Sequence, residues 1–515
     1  MRRHRVLPLL VALFLLAVAV GCAQESDNSV LSGSGSDSDQ DSDQGSGQGS
    51  DDEGRGSDAG GDGTDDETGD QGSSTGDIDW GECDFGFEAE CTELDLPLDY
   101  EDPDGDTIPI SVTRTPATGD RIGALFVNPG GPGATAGDFA AQMASILPIE
   151  ITERFDIVGV DPRGTGASAI DCGGDFAELY GVDYSIDSEE DETTLLDVSQ
   201  EYVDGCESAV GDQLAHLGTR DVARDMDAVR EAMGDDQISY LGFSYGTGIG
   251  QVYADLFPER VRAMVLDGVL ELGPTGVELA EEQALGFERA LQSFVDDCDA
   301  DEDCPLAPDA MAKIDELSAM VEEAPIGASP RDLGPGDLAV GLALPLYSQG
   351  LWPALASAVD DALDGDGSAM IGLADQYLDI GSFDIYFAVN CLDFEWPDEP
   401  DELLADGTAM GEQAPHFGDS IVNDYVRCAM WPVDNDPLPE VTAPEAPPIL
   451  VVSTTNDPAT PYEAGVRTAE KLVTGVLLSY EGDGHTVVGN GVSCVDDIVI
   501  TYLVDLEPPE DDTTC

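Results

Sequence analysis

The sequence predicts an α/β protein, a mostly parallel sheet flanked by helices, with a helical cap inserted before the last strands. Short apolar runs of strand length alternate with segments of helical period along most of the chain, the pattern of a parallel α/β sheet. Several of these runs end in glycine-rich or polar residues, as strands do at the edge where open α/β sheets bind ligands. Between residues 271 and 444 the rhythm breaks, and Ala/Leu/acidic stretches of helical character take over.

From the N-terminus, Met1-Arg2-Arg3-His4-Arg5 precedes an apolar run from Val6 to Val20. The run is too short for a comfortable membrane span, so residues 1–21 read as a signal peptide. Its end, Ala19-Val20-Gly21-Cys22, resembles a bacterial lipobox, with Cys22 lipidated as the mature N-terminus. Ordinary secretion with cleavage nearby is the alternative, and the paired arginines hint at twin-arginine export. Residues 22–78 read as the lipidated cysteine followed by a disordered acidic Gly/Ser linker, too poor in apolar residues to offset the entropy of ordering. The expected layout beyond it is an N-terminal part of the α/β core over 79–270, the cap over 271–444 and a C-terminal part of the core over 445–515. Strand-like runs fall at Ile108–Val112, Ala124–Val127, Ile157–Val160, Ile238–Leu241, Val265–Leu266, Ile449–Val452 and Val476–Leu478. Arg220–Met233 reads as a helix: Val222, Met226, Val229 and Met233 share a face, Asp221 sits in the first turn and Gly234 suits the C-terminal cap.

The net charge is −89, from 108 acidic against 19 basic residues, of which only Lys313 and Lys471 are lysines. Such a surface repels nucleic acid. Strong salt would relieve its self-repulsion, because the Debye length falls to roughly 3 Å at 1 M, so adaptation to a saline habitat is expected. Eleven cysteines less Cys22 leave ten. They fall in sequence-local couples: Cys83 and Cys91, Cys172 and Cys206, Cys298 and Cys304, Cys391 and Cys428, Cys494 and Cys515. In an exported chain they imply five disulfides, whose connectivity the sequence leaves open. No Cys-x-x-Cys is present and the histidines number four, too few for a zinc site, so no metal is expected; the serine chemistry read below calls for no cofactor.

The chemistry starts at Gly242-Phe243-Ser244-Tyr245-Gly246, directly after a strand-like run. This is the pattern of a nucleophile elbow, a serine on a tight strand-to-helix turn with glycines where a Cβ would collide. A second match, Gly72-Ser73-Ser74-Thr75-Gly76, falls in the polar linker without a strand before it. Asn128-Pro129-Gly130-Gly131-Pro132-Gly133 follows another run and can aim backbone N–H groups, that of Gly131 among them, at an oxyanion; the N–H of Tyr245 would be the second donor. Of the histidines, His4 lies in the signal, His216 precedes the serine and His416 lies in the cap. His485, in the loop after Val476–Tyr480, is therefore the candidate base. Asp457, after Ile449–Val452, is the candidate acid, with Asp483 as its competitor.

Together with Leu96–Tyr100, Asp161-Pro162-Arg163-Gly164-Thr165-Gly166, Asp225–Arg230, Leu266-Asp267-Gly268-Val269, Asn456–Pro461, Gly484-His485-Thr486 and the terminal Cys494 and Cys515, these motifs resemble the secreted tripeptidyl aminopeptidases, α/β-hydrolases related to prolyl aminopeptidases. The resemblance runs from about residue 79 to the C-terminus. It implies an α/β-hydrolase fold and an exopeptidase acting on peptides with a free N-terminus through Ser244, His485 and Asp457. Such an enzyme needs an anionic patch for the substrate ammonium; Asp393 and Glu395 are the candidates, braced by a Cys391–Cys428 bridge. A monomer is expected, outside the cell, secreted or touching the membrane only through its lipid anchor. A carboxylesterase on the same scaffold and a non-catalytic binding lipoprotein are the alternative functions.

Overall fold

The computed structural model describes residues 78–515 apart from 84, 86 and 187. The expected signal peptide, Cys22, the acidic linker and the second serine motif lie outside the described residues. Within them are strands β1 (Gly81–Glu82), β2 (Glu90–Pro97), β3 (Thr107–Thr115), β4 (Gly123–Asn128), β5 (Phe155–Val160), β6 (Ile238–Phe243), β7 (Val261–Asp267), β8 (Ile449–Asn456), β9 (Gly475–Asp483) and β10 (Thr513–Thr514). They form one sheet in the order β1-β2-β3-β5-β4-β6-β7-β8-β9-β10. From β5 to β10 every pairing is parallel; β1, β2 and β3 join antiparallel at one edge.

Strands β4, β5 and β6 are buried at every residue, because a central parallel strand is covered by helices on both faces. Alternate residues enter different cores: Ala124 and Phe126 pack on one face of β4, Leu125 and Val127 on the other. The helix Thr219–Met233 closes on Gly234 at φ 77°, the left-handed conformation glycine adopts at no steric cost. The sulfurs join as the five sequence-local couples.

Between β7 and β8 the described chain is helical, from Gly276–Ala300 to Gly418–Asp424. The first of these helices opens on a capping box in which Thr275 and Glu278 satisfy each other's backbone donors. This insertion has an apolar core of its own, containing Phe287, Leu291, Phe294, Leu317, Trp352 and Phe417. One feature went unforeseen. The connection between β5 and β6, including the helix Glu189–Val210, leans on the insertion: Tyr180 donates to Asp424 and Tyr202 to Asp384, both at 3.0 Å. The helical layer therefore draws on chain from well before residue 271.

Candidate active site

Sheet order places the site. The chain steps outward from β4 to β5 on one side and from β6 onward on the other, which opens a crevice at the carboxyl ends of β4 and β6. Both glycine motifs sit there, with Asn128 opposite Gly242 in register. Ser244 follows β6 at φ 53°, ψ −128°, and the helix Tyr245–Leu256 begins at once. A non-glycine residue in that region costs about 1–3 kcal/mol. The Ser244 N–H donates to the Asp267 carbonyl at 3.0 Å, and the Ser244 carbonyl accepts the Thr247 hydroxyl at 2.6 Å. A Cβ on Gly242 would lie 2.6 Å from the Gly246 carbonyl oxygen, and one on Gly246 2.7 Å from Asn128 Oδ1. Across the crevice Gly130 is at φ 92° and Gly131 at φ 113°. A Cβ on Gly130 would come within 2.9 Å of Ser244 Cβ and 3.0 Å of the Tyr245 nitrogen, so only glycine lets this turn reach the elbow.

His485 stands just beyond β9. Its Nδ1 lies 2.9 Å from both carboxylate oxygens of Asp457 and 3.3 Å from the Thr460 hydroxyl. Asp457 is buried, and Oδ1 accepts the N–H groups of Ala459 and Thr460 at 2.9 Å. The His485 N–H donates to the Tyr347 carbonyl at 3.0 Å, and the Tyr347 ring meets the imidazole edge-on at 5.4 Å. Nε2 is buried without a hydrogen-bond partner. Burial alone would lower the imidazole pKa; the Asp457 carboxylate and, more weakly, Asp267 outweigh it and hold the pKa above the ordinary value. Asp483 turns elsewhere, to Asn456 and Gln349. His416 is held between Glu288 and Asp315 in the insertion.

The cleft above the elbow contains about 890 Å³ of empty space, part of it open to solvent. Gly131, Ser244 and Tyr245 line its sheet side, and Tyr347, Tyr377, Tyr386, Trp396 and Tyr425 its insertion side. Neither Asp393 nor Glu395 lines it. Asp393 is buried at the start of the helix Thr219–Met233, where its carboxylate accepts the Thr219 N–H at 3.0 Å and the Thr219 hydroxyl. A carboxylate there complements the unpaired N–H groups and positive dipole of the helix. Burial pushes its pKa up to about 7. Glu395 faces solvent. The carboxylates that do line the cleft are Glu271, which accepts from Arg467 and Lys471, and Glu282, which accepts from Arg467. In the sequence they were two acids among 108, with nothing to single them out. The Cys172, Cys206 and Asp384 groups also lie together, but the two sulfurs are bonded to each other and offer no thiolate.

A family profile described as TAP-like protein matches residues 414–515, the segment holding Asp457 and His485. The chain is 38% identical to the serine protease Hip1 of Mycobacterium tuberculosis over 83% of its length and 87% of that protein's. It is 38% identical to carboxylesterase B of the same species, over 83% and 86%. It is 31% identical to the tripeptidyl aminopeptidase of Streptomyces lividans, over 85% and 86%. Among solved structures, a thermophilic esterase from Thermogutta terrifontis aligns with 81% of this chain and 99% of its own at 12% identity and a TM-score of 0.37, a likeness too loose to add to the topology. The chain belongs to the family of α/β-hydrolases that includes the tripeptidyl aminopeptidases and the serine protease Hip1.

Proposed function

We propose that the protein is an exported serine aminopeptidase. Ser244 attacks the carbonyl carbon of the scissile amide while His485 Nε2 takes the hydroxyl proton. The N–H groups of Gly131 and Tyr245 hold the oxyanion. His485 then returns the proton to the leaving amine, and water releases the peptide acid from Ser244 by the same steps. Asp457 keeps the proton on Nδ1 and stabilises the imidazolium. One observation carries the reading: Nδ1 is committed to Asp457 while Nε2 is buried without a partner.

The substrate is a peptide with a free N-terminus, cut to release a tripeptide or single residues, as the tripeptidyl aminopeptidase relative suggests. Its ammonium would lie near Glu282, the less buried cleft carboxylate, with 41% of the side chain exposed. Carboxylesterase activity is the second reading, favoured by the 38% identity to carboxylesterase B; ester and amide pass through the same oxyanion. Chromogenic tripeptidyl and aminoacyl amides, free and N-acetylated, separate the two. Free amides should be cleaved well and acetylated ones poorly; equal cleavage would sink the aminopeptidase reading. Export, the lipid on Cys22 and the saline habitat belong to the same proposal. The mass of the mature N-terminus tests the lipid, and activity rising toward molar salt tests the habitat.

A further inference from the structure

Asp267 ends β7 and is fully buried. Its carbonyl accepts the Ser244 N–H at 3.0 Å. Its carboxylate Oδ2 accepts the N–H of Val487 at 2.8 Å and of Val488 at 2.7 Å, in the turn that carries His485. Its Oδ1 is buried with no partner. The next residue, Gly268, is at φ 66°, and a Cβ there would sit 3.0 Å from His485 Cε1 and 3.2 Å from the Thr460 hydroxyl. One dipeptide thus bonds to the elbow and to the histidine turn, and packs so close to the imidazole and the acid loop that a Cβ on Gly268 would crowd both. Thr486, between His485 and the two clamped residues, is at φ 64°, a conformation a β-branched residue avoids unless its surroundings hold it.

We propose that Asp267 is a positioning residue for His485: its carboxylate pins the 485–488 turn and adds a second negative charge beside the imidazolium formed during proton transfer. The proposal rests on the Ser244–His485–Asp457 reading. A clamp alone would need only a neutral acceptor. A buried carboxylate with one bare oxygen is a costly way to build one, which argues that the charge itself matters. Desolvation pushes this carboxyl up to about 7, reinforced by the Asp457 charge and moderated by the Val488 and Val487 N–H groups and by His485. The groups facing the imidazole are Asp457, Asp267, the Thr460 hydroxyl and, from the insertion, Tyr347.

The sign follows. Anionic Asp267 raises the His485 pKa, and reaction requires neutral His485, so removing the charge moves the acid limb of the rate profile to lower pH. Alanine would strip two buried N–H groups of their acceptor and endanger folding. Asp267→Asn keeps an oxygen for them and puts its amide where Oδ1 already lacks a partner. The full chain, as wild type, D267N and S244A, is reacted with a fluorophosphonate from pH 5 to 9, since this probe needs an activated serine but no peptide specificity. In D267N, Ser244 labelling should slow about tenfold or more, and the acid limb should move down by roughly 0.5 pH unit or more. An acid limb that stays in place, with or without slower labelling, overturns the proposal. Wild-type protein that is not labelled, or S244A labelled equally, overturns the underlying triad instead.

Discussion

The two walls of the cleft are built by different means. On the sheet side the backbone sets the geometry. Ser244 is pinned by the Asp267 and Thr247 bonds, Gly130 approaches where no side chain fits, and Asp457 is gripped by two N–H groups. On the insertion side, aromatic side chains hold one another. Trp396 stacks on Tyr425 with ring centroids 4.5 Å apart and donates its indole N–H to the Asn390 carbonyl, and the Tyr386 and Tyr425 hydroxyls are hydrogen-bonded. Backbone geometry cannot be altered without losing the turn, whereas a side-chain wall can be reshaped one residue at a time. On the proposed aminopeptidase reading, chemistry falls to the sheet edge and selection of substrate to the insertion. The walls meet at Tyr347, whose carbonyl accepts the His485 N–H.

Three variants probe this division. Ser244→Ala removes the chemistry itself, so kcat on peptide amides and on p-nitrophenyl acetate alike should fall by about 10⁴-fold or more, with the unfolding temperature nearly unchanged. Retained ester hydrolysis would show that another residue supplies the nucleophile. Leu279→Trp adds bulk to the insertion wall at a partly exposed position. Peptide kcat/KM should drop by about 10–100-fold while acetyl ester turnover stays within a few-fold; an equal loss on both would break the division. Replacing Cys391 and Cys428 with serine frees the helix Phe383–Asp393 from the turn holding Tyr425. The melting temperature should fall, by the equivalent of about 2–4 kcal/mol, with the smallest effect on ester hydrolysis at 25 °C. A larger effect on the ester than on peptides would place the catalytic groups under the insertion's control.

The strands of the sheet centre were readable because burial on both faces demands continuous apolar runs, and the seven runs fall in β3 to β9. The first two strands escaped notice. β2, Glu-Cys-Thr-Glu-Leu-Asp-Leu-Pro, is partly exposed, with Glu93 and Asp95 alternating with Leu94 and Leu96, and charges diluted the signal. Asp393 misled for a different reason. The carboxylate is needed, but by the helix Thr219–Met233, an element 174 residues earlier in the chain, and no local pattern announces such a partner. Arg163 and Asp225 show the same limit. They stood out as pieces of two motifs, yet in the fold they are a buried ion pair at 2.8 Å, with Arg163 also donating to the carbonyls of Leu98 and His216.

Local physics was enough wherever one segment both specifies and carries a feature. Periodicity named the strands and the helix before Gly234. The glycines around Ser244 followed from a turn too tight for a Cβ, chain order and elimination singled out His485, and position after a strand favoured Asp457 over Asp483. Only the tertiary structure decided what depends on distant segments meeting: which carboxylates line the cleft, which aromatics roof it, and that Asp267 reaches both Ser244 and the turn of His485. In a chain with 108 acidic residues, composition cannot tell a solvated carboxylate from a working one. Burial and bonding partners can, and they exist only once β6, β7 and β9 share a sheet.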